Sequence, residues 1–139
     1  MGAAGQRQGG RRGGRRRLSR SADFDRVFRE GRSFASRHLV LHAFPRVGAD
    51  ASASEQAGGE EPAPRLGVSV GRRVGGAVER NRVKRLMREA FWAVAPALPG
   101  DHDFVLVARP EAAELAHRAG EPAFEAELRE LVARAGISR

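Results

Sequence analysis

The chain has 139 residues, with 25 lysines and arginines against 17 aspartates and glutamates, for a formal charge of +8. That length allows one domain with a modest core, and the absence of cysteine excludes disulfides and thiolate-bound metal. No apolar run reaches the roughly 18 residues of a membrane span and no secretion-signal core follows the basic start, so the expectation is a soluble, cytoplasmic protein without a membrane partner.

The charge is concentrated. Residues 1–21 carry +7 and residues 65–92 carry +6, whereas residues 45–64 and 93–139 carry −3 each. Two basic segments in an otherwise acidic chain suit a polyanion partner better than general solubility. Lys84 is the single lysine. Arginine also fills the acidic C-terminal part, so this bias is assigned to codon composition rather than to selection for phosphate forks.

In chain order, residues 1–17 hold glycine, glutamine and arginine with almost nothing apolar, and are expected to form a disordered basic arm that meets nucleic acid by charge alone. The domain then runs from 18 to 139. Ser21 is suited to an N-cap and Gly31 to a helix stop, and between them Phe24, Val27 and Phe28 recur at helical spacing. Ser33 to Phe44 reads as strand. Leu39, Leu41 and Ala43 alternate there with His38, Val40, His42 and Phe44.

Residues 45–64, with four carboxylates and many small residues, read as an acidic loop. Arg65 to Val70 is the next strand. It ends at Gly71-Arg72-Arg73-Val74-Gly75-Gly76, which lacks the Gly-Lys-Ser/Thr ending of a phosphate loop and the dinucleotide fingerprint. These glycines are read as a tight turn that lets backbone approach phosphate.

Arg80 to Arg88 is the most informative stretch. On a helix, Val83, Leu86, Met87, Ala90, Phe91 and Val94 share one side, whereas Arg80, Asn81, Lys84, Arg85 and Arg88 share the other, with Arg82 at the border. Like charges at 80/84, 82/85, 84/88 and 85/88 each cost roughly 0.2–0.5 kcal/mol, and Arg80 and Arg82 sit near the positive end of the helix dipole. Burial of the opposite seam returns about 1.5–3 kcal/mol per large apolar side chain, so the helix forms, and an anion would relieve the crowding. Trp92 falls on the basic side, suited either to covering apolar surface or to stacking on RNA. Pro96 and Pro99-Gly100 end the helix.

Phe104 to Ala108 is a short strand behind Asp101-His102-Asp103, whose side chains diverge on a turn and make a poor metal site. Pro122 opens a last helix with a seam of Phe124, Leu128, Leu131, Val132 and Ala135, stopped by Gly136. His38, His42, His102 and His117 fall in no catalytic or metal-ligand spacing, and there is no nucleophile elbow. No catalytic residue is assigned.

The wording from Gly67 to Phe91, Gly-Val-Ser-Val-Gly-Arg-Arg-Val-Gly-Gly-Ala-Val-Glu-Arg-Asn-Arg-Val-Lys-Arg-Leu-Met-Arg-Glu-Ala-Phe, resembles the signature of the bacterial ribonuclease P protein component. The likeness extends to Asp23-Phe24, to Val27-Phe28 and to Phe104–Arg109. It implies an α/β sandwich of order αβββαβα with a left-handed crossover around the basic helix. It also implies a ribonucleoprotein that removes the 5′ leader of precursor tRNA, with Mg²⁺ held mainly by the RNA subunit and no obligate protein partner.

By the same resemblance, Arg72, Arg73, Arg80, Asn81, Arg82, Lys84, Arg85 and Arg88 meet the RNA subunit. Phe24, Phe28, Val40 and His42 hold the leader, with His42 where the family often has tyrosine, and Gly76 stands where a polar residue is usual. Against that family, residues 45–64 are an insertion. The alternatives are a generic RNA-binding or ribosome-associated α/β protein and, less favoured, a stand-alone nuclease.

Overall fold

The structure, a computed structural model, describes residues 16–18, 21–46 and 63–137. In chain order it consists of β1 (Arg16–Arg17), α1 (Ser21–Glu30), β2 (Arg32–Ala35), β3 (Leu39–Pro45), β4 (Arg65–Val70), α2 (Ala77–Val94), β5 (His102–Ala108), α3 (Ala112–Ala119) and α4 (Glu121–Ala135), with 3-10 turns at Arg72–Val74 and Ala95–Ala97. The expected αβββαβα order is present, with β1 and α3 added to it.

One mixed sheet runs β1-β4-β5-β3-β2. Strands β4 and β5 are parallel neighbours joined through α2, while β3 runs antiparallel to both β5 and β2. The pleat sends alternate residues to opposite faces. Leu39, Leu41, Leu66, Phe104 and Leu106 meet the buried seams of α2, α3 and α4 in the main core. On the other face a smaller cluster of Leu18, Val27 and Val105 lies under α1, with Phe24, Phe44 and Val107 packed against it.

The seams predicted for α2 and α4 are the residues found buried there, and Gly136 stops α4 at a left-handed φ of 66°. Besides the unforeseen α3, four details depart from the expectations. The stretch read as one strand is a hairpin, β2 and β3. The chain turns between them at Ser36–His38, where Ser36 N–H donates to the Leu39 carbonyl (2.8 Å). Secondly, Arg16–Arg17, assigned to the arm, pairs in parallel with Arg65–Leu66 of β4; residues 1–15 lie outside the described residues, as does the side chain of Ser21.

Thirdly, Gly31 ends α1 because of close approach rather than left-handed backbone: a Cβ there would lie 2.5 Å from the Ala43 carbonyl oxygen of β3. Fourthly, Pro45 and Arg46, placed in the acidic loop, are ordered. Pro45 closes β3, and Arg46 is buried, bonding Asp103 (2.6 Å) and the carbonyls of His102, Ala63 and Gly100. Arg46 thus ties together the two ends of the insertion, whose residues 47–62 lie outside the described residues.

Helix α3 was missed. Ala112, Leu115 and Ala116 do carry a short i, i+3, i+4 seam, but alanines are a weak periodic signal, and the helix is held by burying those three residues against the main core. Among the described residues, no helix is long and apolar enough to cross a membrane.

Candidate nucleic-acid interface

Two surfaces gather the residues singled out in the sequence. The first is the outer side of α2. Arg82 and Arg85 are exposed with Asn81, and Arg80, Lys84 and Arg88 are partly covered; Arg72 and Arg73 stand exposed on the 3-10 turn that leads into the helix. Among the described residues none of these seven cations takes part in an ion pair. The carboxylate that could have neutralised the first turn, Glu79, is engaged instead by His117 Nε2 of α3 at 2.9 Å.

Among the described residues, the single hydrogen bond from the stripe is a long one of 3.5 Å from Arg82 to the Ala116 carbonyl, as its border position on the wheel suggests. No side chain caps the start of α2 at Gly76, so the first-turn N–H groups add their positive ends to the same surface. Burial, and then the charge of Arg17, lower the affinity of the Arg88 guanidinium for its proton. Trp92 turns its ring edge-on to Phe91 (4.9 Å) and packs against the core, so it covers apolar surface.

The second surface is the sheet face beneath α1. Strand register places Gly67 beside Val105 and Val105 beside His42, with Ser69, Val107 and Val40 in the next row. Helix α1 lays Phe24 over Gly67, where any Cβ would collide with the ring, and holds Phe28 edge-on to His42 at 4.7 Å. The two phenylalanine rings are 6.4 Å apart. Phe28 keeps 41% of its surface exposed, and Val40 and His42 are partly exposed. The four residues assigned to the cleft therefore form one half-open aromatic and aliphatic surface.

Burial lowers the pKa of His42 and so favours the neutral imidazole, whose Nδ1 has no hydrogen-bond partner among the described residues. Sequence reasoning overlooked Gly67, Ser69 and Val107 as the floor of this surface. The alternation of β4 and β5 carried that signal, since these positions point away from the Leu66 and Phe104 face.

An ionic network fixes α1 in place. Asp103, fully buried, takes Arg65 through two bonds of 2.7 and 2.8 Å and Arg46 through a third, and Arg65 also reaches Asp23 of α1 at 3.8 Å. The Asp101-His102-Asp103 triplet is thereby explained. Asp103 points inward to the arginines, while His102 bonds Asp101 (2.8 Å) and stacks on Phe104. Among the described residues, no three histidines, aspartates or glutamates are grouped to hold a metal ion.

A small α/β sandwich with a basic helix free of ion pairs along its stripe, among the described residues, on one side and a half-open aromatic cleft on the other defines an RNA-binding protein of the type the sequence resembles. The chain matches the ribonuclease P family over residues 13–136 and belongs to it. The ribonuclease P protein component of Halalkalibacterium halodurans is 40% identical over 101 residues, 73% of this chain and 75% of that protein, and the one from Shouchella clausii is 39% identical over 102 residues, 73% and 74% of the two chains. Among solved structures, the RNase P protein of Thermotoga maritima superposes with a TM-score of 0.67 at 28% identity, covering 85% of this chain and 96% of that one. The Staphylococcus aureus protein gives 0.67 at 25%, covering 88% and 97%.

Proposed function

We propose that this chain is the protein subunit of a tRNA-processing ribonucleoprotein, docking on the catalytic RNA through the α2 stripe and holding the 5′ leader of precursor tRNA in the cleft beneath α1. The observation that carries the reading is the row of cations on α2 without an ion pair among the described residues. A helix that bears its like charges on one exposed side, while its first-turn carboxylate Glu79 is taken by His117 and Glu89 makes no ion pair among the described residues, is completed by phosphate. Arg72 and Arg73 extend that row at its N-terminal end.

The cleft offers ring faces and aliphatic surface with few polar groups. That chemistry takes unstacked bases of a single strand and does not require a particular sequence. Holding the leader favours precursor over mature tRNA. Cleavage belongs to the RNA subunit: the Mg²⁺ ions that activate water are assigned to it, and the protein supplies affinity and positioning. The site of action is the cytoplasm, and the holoenzyme needs no further protein.

Reconstitution tests this. Protein, RNase P RNA and precursor tRNA are mixed at low Mg²⁺, and each component is omitted in turn. Cleavage only in the full mixture is the expected result. RNA binding without enhanced cleavage would mean a generic RNA-binding or ribosome-associated protein, and cleavage by the protein alone would mean a nuclease in its own right.

A further inference from the structure

Strand β1 is two residues long and sits at the sheet edge, yet its register is well defined. Arg17 pairs with Leu66, and Leu18 N–H donates to the Leu66 carbonyl at 3.0 Å. Paired residues of neighbouring strands project to the same face of a sheet. Leu66 belongs to the main core beneath α2, so Arg17 emerges on the α2 side, whereas Leu18 turns the other way and is buried with Val27 and Val105 under α1. Leu18 acts as the anchor, and Arg17 is carried to the edge of the basic stripe.

The stripe residue that feels its charge is Arg88. Arg17 is exposed and Arg88 is partly covered. On α2 itself Arg88 is flanked by Lys84 and Arg85 one turn earlier and by Trp92 one turn later, and the adjacent Glu89 makes no ion pair with it among the described residues. Among the described residues neither Arg17 nor Arg88 has an ion pair. Two arginines from segments 71 positions apart in sequence thus share the α2 side of the sheet edge, neither of them in an ion pair among the described residues.

We propose that Arg17 and Arg88 form a two-arginine phosphate site at the C-terminal end of the α2 stripe, taking one backbone phosphate of the RNA between an edge strand and a helix. This rests on the reading of α2 as an RNA-docking surface and adds a contact outside the Arg80–Arg88 motif. Arginine forks suit such a site because each presents parallel N–H donors to phosphate oxygens.

The test uses the full chain and RNase P RNA over a salt series, comparing wild type with Arg17→Ala, Arg88→Ala, the double variant, and Arg80→Ala/Arg82→Ala. Each single variant at Arg17 or Arg88 should weaken binding by about five- to tenfold and flatten the log-log salt slope by roughly 0.7–0.9. Because one phosphate is shared, the double variant should lie within about twofold of the weaker single variant. Thermal unfolding of free Arg17→Ala should occur at an unchanged or higher temperature, since a repulsion is removed; a lower one would assign the arginine to folding and overturn the proposal.

If Arg17→Ala binds like wild type while Arg80→Ala/Arg82→Ala is weakened, the phosphate site is wrong and the docking surface stands. Losses at Arg17 and Arg88 that multiply in the double variant would mean two separate contacts and no shared site. If none of the variants alters binding, the docking surface itself fails, and this site with it.

Discussion

The two faces of the sheet carry similar side chains and end up with different duties. On one face α2, α3 and α4 close over Leu39, Leu41, Leu66, Phe104 and Leu106, and Phe91 is completely buried. On the other a single ten-residue helix, α1, covers Val105 with Val27 and Leu18 and leaves Phe28, Val40 and His42 part-open. Phenylalanines lie in helix seams on both faces, Phe24 and Phe28 on α1 against Phe91 on α2 and Phe124 on α4. The difference lies in how much helix is laid over each face, so the thinly covered side keeps apolar surface open while the thick side buries it.

The largest effect should separate the faces by stability. Phe91→Ala empties a closed site between α2 and β5 and should cost about 3–5 kcal/mol in urea unfolding; Phe28→Ala, removing a ring that is 41% exposed, should cost less than about 1 kcal/mol. Equal losses would mean that α1 belongs to the core and that no cleft exists. Next in size, replacing Arg80, Arg82, Lys84, Arg85 and Arg88 together with alanine should shallow the salt slope of RNA binding by roughly 3–4, at about 0.7 per phosphate contact. An unchanged slope would take α2 out of the interface while leaving its inner seam as core.

The thick face was the easier one to read from sequence. The seams of α2 and α4 repeat apolar residues over about three turns each, and the residues predicted to be buried are the ones found buried. The basic stripe was legible for the same reason, as the complement of that seam. The thin face depended on long-range pairing. Nothing local reveals that Gly67 is bare so that Phe24 can lie on it, or that Arg46 reaches 57 positions along the chain to Asp103.

The break between β2 and β3 was hidden in the same way. Ser36–His38 carries no glycine or proline to mark a turn, and it is held instead by Glu127 of α4, which accepts bonds from Ser36 Oγ and from the His38 backbone N–H (2.8 Å) and meets His38 Nδ1 at 2.9 Å. Burial alone would raise the pKa of Glu127, but these bonds hold it below the usual carboxylate range. A partner that distant cannot be read from local pattern.

A smaller effect tests the cleft itself. Phe24→Ala should weaken precursor tRNA binding by about 1–3 kcal/mol, the worth of one base stacked on an aromatic ring, while mature tRNA binding changes little. Gly67→Ala should act in the same direction by displacing that ring without removing it, because the colliding atoms belong to a movable side chain rather than to backbone. Equal losses for precursor and mature tRNA would assign Phe24 to folding alone.

The smallest effect concerns His42, the ring that stands edge-on to Phe28 in that cleft. Burial makes its protonation harder in the folded state than in the unfolded chain, whose imidazole titrates near 6.5. Below that pH the unfolded state binds the proton and the folded state resists it, so the unfolded state is favoured and stability falls as pH drops from 6.5 toward the lower folded pKa. Above 6.5 both states are neutral and the contribution is complete. Tyrosine keeps a ring at the position and has no charge to gain over this range. Urea midpoints measured from pH 7.5 to 5.5 should therefore decline more steeply for the native chain than for His42→Tyr, with the other three histidines and the carboxylates cancelling in the difference. Parallel declines would mean that the imidazole is open to water in both states and that the cleft beneath α1 is shallower than its ring contacts indicate.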